Sequence, residues 1–198
     1  MANKDPEAVF RQYGGQLRMS DALKNGITRY MLYSLRDKGK IEQISRGVYR
    51  LTNLPPLSNQ DLATVSLRFP NAVICLTSAL SYHDLTTQIP HFISIAVPRG
   101  AYLPNLSYPP IQNHRFSKSA YHAGIEEHNI DEVVVKIYSA EKTIADCFKY
   151  RNKIGMDIVL EALKFYRARK QFNLQALLKY AELCRVEKVM APYLETII

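Results

Sequence analysis

Apolar positions in the first fifty residues recur at helical spacing in short runs that glycine interrupts, and then give way to alternation. Asp5-Pro6-Glu7 is a helix start: an acidic N-cap, proline at the first helical position, and glutamate facing the positive end of the dipole. The first helix runs to about Tyr13 and stops at Gly14-Gly15. Gln16–Met19 forms a short connector, read as a strand that pairs with a later hairpin. Ser20 is read as the cap of a short second helix, which Asn25-Gly26 ends. Thr28 caps a third helix that reaches about Lys38, before Gly39. Two β-prone runs, Lys40–Ser45 and Val48–Leu51, then flank Arg46-Gly47 as a hairpin. Helix, turn, helix and hairpin in this order predict a winged helix-turn-helix, a module that places one helix in the major groove of DNA.

The third helix divides by angle. At 100° per residue Met31, Leu32 and Leu35 fall on one side and are assigned to the core. Arg29, Tyr33 and Arg36 share another face, with Tyr30 beside them. Guanidinium groups read guanine edges or clamp phosphates, and tyrosine hydroxyls reach phosphate oxygens. The DNA-facing residues predicted from this pattern are Thr28, Arg29, Tyr30, Tyr33 and Arg36 on the helix, with Lys40, Arg46 and Arg50 from the hairpin. Taken alone, such a face is equally that of an ordinary solvated helix. The preceding helix, the Asn-Gly turn and the hairpin favour recognition.

After the hairpin the pattern changes. Residues 54–60, with Pro55-Pro56, Ser58 and Asn59, read as a stiff linker between a domain at 1–53 and a larger one at 61–198. A helix is predicted from Asp61 to Phe69, and a buried strand at Ala72–Leu76. Thr77-Ser78 is read as a cap for a helix to about Leu85. Strands come next at Phe92–Val97, Ile111–Phe116, Gly124–His128 and Val133–Tyr138. Ser139 caps a helix to about Tyr150. Another spans Gly155–Arg169, and Asn173 caps a third. The fold class is therefore α+β: a winged helix-turn-helix, then a mixed domain with a helical C-terminal third.

Charge sharpens this division. The chain carries +8 at pH 7, which points to a polyanionic partner. Residues 1–53 hold 10 Lys+Arg against 5 Asp+Glu, and residues 54–198 hold 16 against 13, so the excess sits with the helix-turn-helix pattern. Cys75, Cys147 and Cys184 are far apart among apolar neighbours, which predicts buried reduced thiols in a cytoplasmic protein. No signal-peptide core and no apolar run long enough to span a membrane is present.

The run GITRYMLYSLRDKGKIEQISRGVYRL resembles the N-terminal domain of the AbiEi family of antitoxins and transcriptional regulators, over about residues 5–52. The segments VICLTSALSYHDLT and KIYSAEKTIADCFKYRNKIG resemble that family's C-terminal domain less specifically. The resemblance implies a repressor that binds operator repeats in double-stranded DNA at its own promoter. It also implies the antitoxin role in a type IV (abortive-infection) pair, with a nucleotidyltransferase-like toxin that it need not contact directly. The C-terminal domain would carry the antitoxicity. The resemblance supplies no catalytic residue, metal or cofactor.

A metal-dependent nuclease with a DNA-targeting module is the alternative, and it requires clustered carboxylates. Asp84, Glu126, Glu127, Glu141 and Asp146 are the candidates; the spacing converges none of them, and they read as solvated acids. His83 reads as a packing or capping residue. Phosphate-loop, nucleophile-elbow and zinc-binding spacings are absent. The basic groups Lys149, Arg151, Lys153 and Arg167, Arg169, Lys170 lie at predicted helix C-termini, where cations are favoured by the dipole; the equal alternative is a phosphate-contacting surface continuous with the N-terminal domain.

Overall fold

The computed structural model describes residues 5–55 and 58–197, with side chains through Glu195. The described residues form two compact units. One comprises residues 1–71 with 127–135, and the other residues 72–126 with 136–198.

The first unit begins with α1 (Pro6–Gln12), whose N-cap Asp5 accepts the Glu7 amide. Then come β1 (Gln16–Arg18), α2 (Met19–Lys24), α3 (Arg29–Asp37), β2 (Ile41–Ser45), β3 (Val48–Leu51) and α4 (Gln60–Arg68). The connector at residues 16–18 is indeed a strand. It pairs antiparallel with β3, Leu17 opposite Tyr49, to give a sheet ordered β1-β3-β2. A bulge between Gln43 and Ser45 shifts the β2–β3 register. Phe10, Leu17, Ala22, Ile27, Leu32, Ile41, Tyr49 and Leu51 make the core, with Met31 and Leu35 packed against it. The angular assignment of α3 thus holds.

Two details differ from the sequence reading. Ser20 does not cap α2. The helix starts two residues earlier, at Met19, whose amide donates to the hairpin carbonyl of Gly47 at 2.8 Å; the N-cap is Arg18, without a side-chain cap bond. The first unit also continues past the predicted linker. α4, capped by Asn59, packs on β1 and β3, so it groups with the winged helix rather than with the second unit. Pro56 and Leu57 of that linker lie outside the described residues. Asp131, in a turn of this unit, holds the start of α4. Its carboxylate accepts the amides of Ser58 at 2.9 and 3.0 Å and of Asn59 at 3.2 Å. Those bonds hold its pKa below the usual carboxylate value, although burial pushes the other way.

The second unit is built on β4 (Val73–Ile74), α5 (Leu76–Tyr82), β5 (Ile93–Pro98), β6 (Ile111–Phe116), α6 (Lys118–His122), β7 (Ile125–Ile130) and β8 (Val133–Tyr138). Four helices complete it: α7 (Ala140–Ile154), α8 (Met156–Arg167), α9 (Leu174–Cys184) and α10 (Glu187–Ile197). The sheet order is β6-β5-β4-β8-β7, with β4–β8 and β5–β6 parallel. Residues 127–135 of its β7–β8 hairpin group with the first unit. All three cysteines are buried and free.

The serine at the start of α5 is not its cap. Cys75 takes the N-cap position, while the Ser78 hydroxyl donates to the Phe92 carbonyl and accepts the Ser94 amide, tying α5 to β5. Short α6, capped by Ser117, was not anticipated. Ser139 and Asn173 cap α7 and α9 as read.

Asp146, read as solvated, is fully buried. It pairs with Lys142, which is equally buried and lies 4.4 Å from the Tyr138 ring centroid and 5.0 Å from that of Phe116. The Cys184 thiol donates to its other oxygen at 3.2 Å. Burial raises the Asp146 pKa, and Lys142 opposes that rise. Gly124, at φ +70°, leaves room for the Lys142 stem: a Cβ there would come within 2.7 Å of the Lys142 Cβ.

Candidate nucleic-acid interface

The first unit carries a concave face formed by α3, the start of α2, the hairpin and the end of α4. Arg18, Arg29, Arg36, Arg46 and Arg68 line it, with Tyr33, Tyr49 and Gln43 among them, and no carboxylate contributes to the lining. Local structure explains the placement. Thr28 accepts the Met31 amide through Oγ1 at 3.2 Å and so sets where α3 begins. Arg29, Tyr33 and Arg36 then recur along one face, which flanks buried Leu32. Gly47, at φ +73°, makes the hairpin turn that exposes Arg46.

The arginines differ in their electrostatic state. Arg36 donates from Nε and Nη2 to Asp37 at 3.1 and 2.9 Å, and its guanidinium lies 5.1 Å from the Tyr33 ring centroid. The Asp37 hydrogen bond and charge raise its already high pKa. Arg18 donates to Asp21 at 2.6 Å. Among the described residues, Arg29, Arg46 and Arg68 have no carboxylate partner. Tyr49 is buried beneath them, and desolvation, with Tyr33 adding to it, raises its pKa.

The structure therefore brings together four of the predicted residues, Arg29, Tyr33, Arg36 and Arg46, and separates the rest. Tyr30, 82% exposed, faces an adjacent hollow with Ser34, Asp37 and Lys38. Thr28 is exposed, but its hydroxyl is engaged as a cap. Two hairpin cations make contacts elsewhere in the unit. Lys40 reaches back to Glu7 of α1 at 2.5 Å, because the hairpin base lies beside the first helix. The Arg50 side chain is only 7% exposed: it donates to the Pro55 carbonyl and pairs with Glu42, since β3 is the central strand. Sequence reading missed Arg68 and Arg18. Both close elements with a basic residue, which by itself signals no more than a helix or strand end.

In the second unit, four residues of the remaining basic groups make local contacts. Arg151 donates to the Phe148 carbonyl, Lys153 lies over Tyr150, and Arg167 over Phe172. Arg169 donates to the carbonyl of His83, whose ring bonds the Tyr138 carbonyl at 2.7 Å, the packing role expected of that histidine. Glu141 accepts from the Tyr166 hydroxyl. Among the described residues no three His, Cys, Asp or Glu side chains group to hold a metal ion. No helix among them is long and apolar enough to cross a membrane.

Comparison with known proteins bears on the first unit directly and on the whole chain through its fold. No curated protein matches the sequence. Among solved structures, the chain is similar to the crystal structure of the RV2827C protein from Mycobacterium tuberculosis, at 14% identity and a TM-score of 0.54. The similarity covers 94% of this chain and 79% of that one, and shows a shared fold. Residues 5–52 match the family model described as transcriptional regulator, AbiEi antitoxin. That match falls on the winged helix-turn-helix of this chain.

Proposed function

We propose that the protein is a DNA-binding transcriptional repressor that serves as the antitoxin of a type IV pair and controls its own operon. The observation that carries the DNA-binding part is the concave face lined by five arginines and no carboxylate, three of them from α3 and the hairpin. Gathering like charges around one hollow is unfavourable in isolation and is relieved by a polyanion. In this reading α3 enters the major groove, where Arg29 and Arg36 contact base edges. Tyr33 and Arg46 contact the backbone. Arg36 must exchange Asp37 for DNA, whereas Arg29 and Arg46 give up no ion pair.

The antitoxin part rests on the family of residues 5–52. It assigns neutralisation of a nucleotidyltransferase-like toxin to the second unit, with no direct contact required. The test of DNA binding is a gel shift with the DNA upstream of the chain's own reading frame. Arg29→Ala and Arg36→Ala are each expected to weaken binding by about 1–3 kcal/mol where the arginine reads a base. Unchanged affinity in the double variant would sink the α3 assignment. Co-expression with the neighbouring toxin gene tests the second part: growth rescued by the double variant as well as by the unmodified chain would separate antitoxicity from DNA binding.

A further inference from the structure

The concave face does not end where the family match ends. Arg68 is the last residue of α4, sixteen positions beyond residue 52, and it lines the same hollow as Arg29, Arg36 and Arg46. Its Nη1 lies 3.7 Å from where a Cβ would stand on Gly47, beside the hairpin turn. The guanidinium packs loosely against Phe69, 6.0 Å from the ring centroid. Its buried Nε has no hydrogen-bond partner, and among the described residues no carboxylate pairs with it. Most other cations of this unit are neutralised: Arg11 and Lys40 by Glu7, Arg18 and Lys24 by Asp21, and Arg50 by Glu42. An unpaired guanidinium held at the edge of a like-charged hollow is placed to receive an anion.

We propose that Arg68 binds a phosphate oxygen of the DNA backbone, extending the interface from the winged helix-turn-helix to the helix that comes after it. The inference rests on the DNA-binding reading above. A phosphate is assigned rather than a base because Arg68 stands beside the hairpin, on an element other than the recognition helix. Its position is fixed at a distance: Asp131 and the Asn59 cap hold the start of α4, and packing on β1 and β3 holds its length.

The experiment uses the full chain and two duplexes, one of mixed sequence and one from upstream of its reading frame, titrated across a range of salt. Loss of one phosphate contact lowers the slope of log K against log salt by about 0.9. Arg68→Gln should show that decrease and weaken both duplexes by the same factor, while Arg68→Lys keeps the slope. Arg68→Met, which retains the stem against Phe69, gives the same readout if the glutamine variant does not fold. An unchanged slope in Arg68→Met overturns the proposal, whatever happens to Tm. So does a loss confined to the upstream duplex, the mark of base reading. If the unmodified chain binds neither duplex, the DNA-binding reading fails and takes this inference with it. That result is distinct from binding by the unmodified chain with no effect at Arg68.

Discussion

Arg29 and Lys142 carry the same charge to opposite ends. Arg29 stands in a concave surface with four other arginines and has no carboxylate partner among the described residues. Lys142 has lost all contact with solvent and is matched by Asp146, two aromatic rings and a helix turn. Water and its ions screen the first charge, so the fold tolerates it and a polyanion can exchange with its counterions. The second is out of reach of water, so only the protein groups around it compensate it, Asp146 foremost. The comparison teaches that position relative to solvent decides whether a cation serves binding or folding, and each class of role predicts a different response to mutation.

The largest response is expected at the buried pair. Lys142→Met leaves Asp146 charged and uncompensated, and should lower stability by about 3–5 kcal/mol, read by denaturant unfolding of the full chain. Removing both charges in Lys142→Met/Asp146→Leu should restore most of that loss; no restoration would mean that the pair is not what Lys142 contributes. The pH dependence is set by the sign of the shift. Burial raises the Asp146 pKa above 3.8, and Lys142 opposes this. Without Lys142 the folded-state value climbs further. Stability from a carboxyl raised in the fold is present below the unfolded value and is lost as pH rises through the folded one. The Lys142→Met deficit should therefore be greatest near neutrality and shrink in acid.

An intermediate effect distinguishes the two hairpin arginines. Arg50→Ala removes a buried donor to the Pro55 carbonyl and should cost about 1–3 kcal/mol of stability, with the salt dependence of DNA binding unchanged. Arg46→Ala should do the reverse: Tm stays and the salt slope falls by about 0.9. Identical behaviour of the two would erase the contrast. The smallest effect is at Thr28. Loss of its cap in Thr28→Ala should lower stability by about 1 kcal/mol, measured as thermal unfolding, and loosen the start of the helix that carries Arg29.

Much of the first unit was legible because its signals are local. Asp5, Thr28 and Gly39 mark helix ends within a few residues of the groups they satisfy, and the 3.6-residue period separates Met31 and Leu35 from Arg29, Tyr33 and Arg36. Arg50 and Lys40 are not among the residues that line the concave face, for the complementary reason. Both read as exposed cations in a β-prone run, and only the pairing of β3 between β1 and β2 buries one, while the approach of α1 neutralises the other. Ser20 and Ser78 fit the cap preference but do not cap: α2 already begins at Met19, whose amide bonds the Gly47 carbonyl, and the Ser78 hydroxyl is engaged by Phe92 and Ser94. Lys142 and Asp146 form an i, i+4 pair that on a surface helix would be commonplace; α9 brings Cys184 against it and makes it core.

The sequence by itself determined the ends of α1 and α3, the hairpin, the basic face of α3 and, apart from α6, the strand–helix order of the remainder. Each of these arises from backbone hydrogen-bonding needs and side-chain periodicity over spans shorter than a dozen residues. Only the tertiary structure decided which cations stay unpaired, which are buried, and that α4 joins the first unit with Arg68 at the hollow's edge. Those outcomes depend on desolvation and on partners brought from distant segments, such as Asp131 against Ser58, and no local pattern encodes the distance between them.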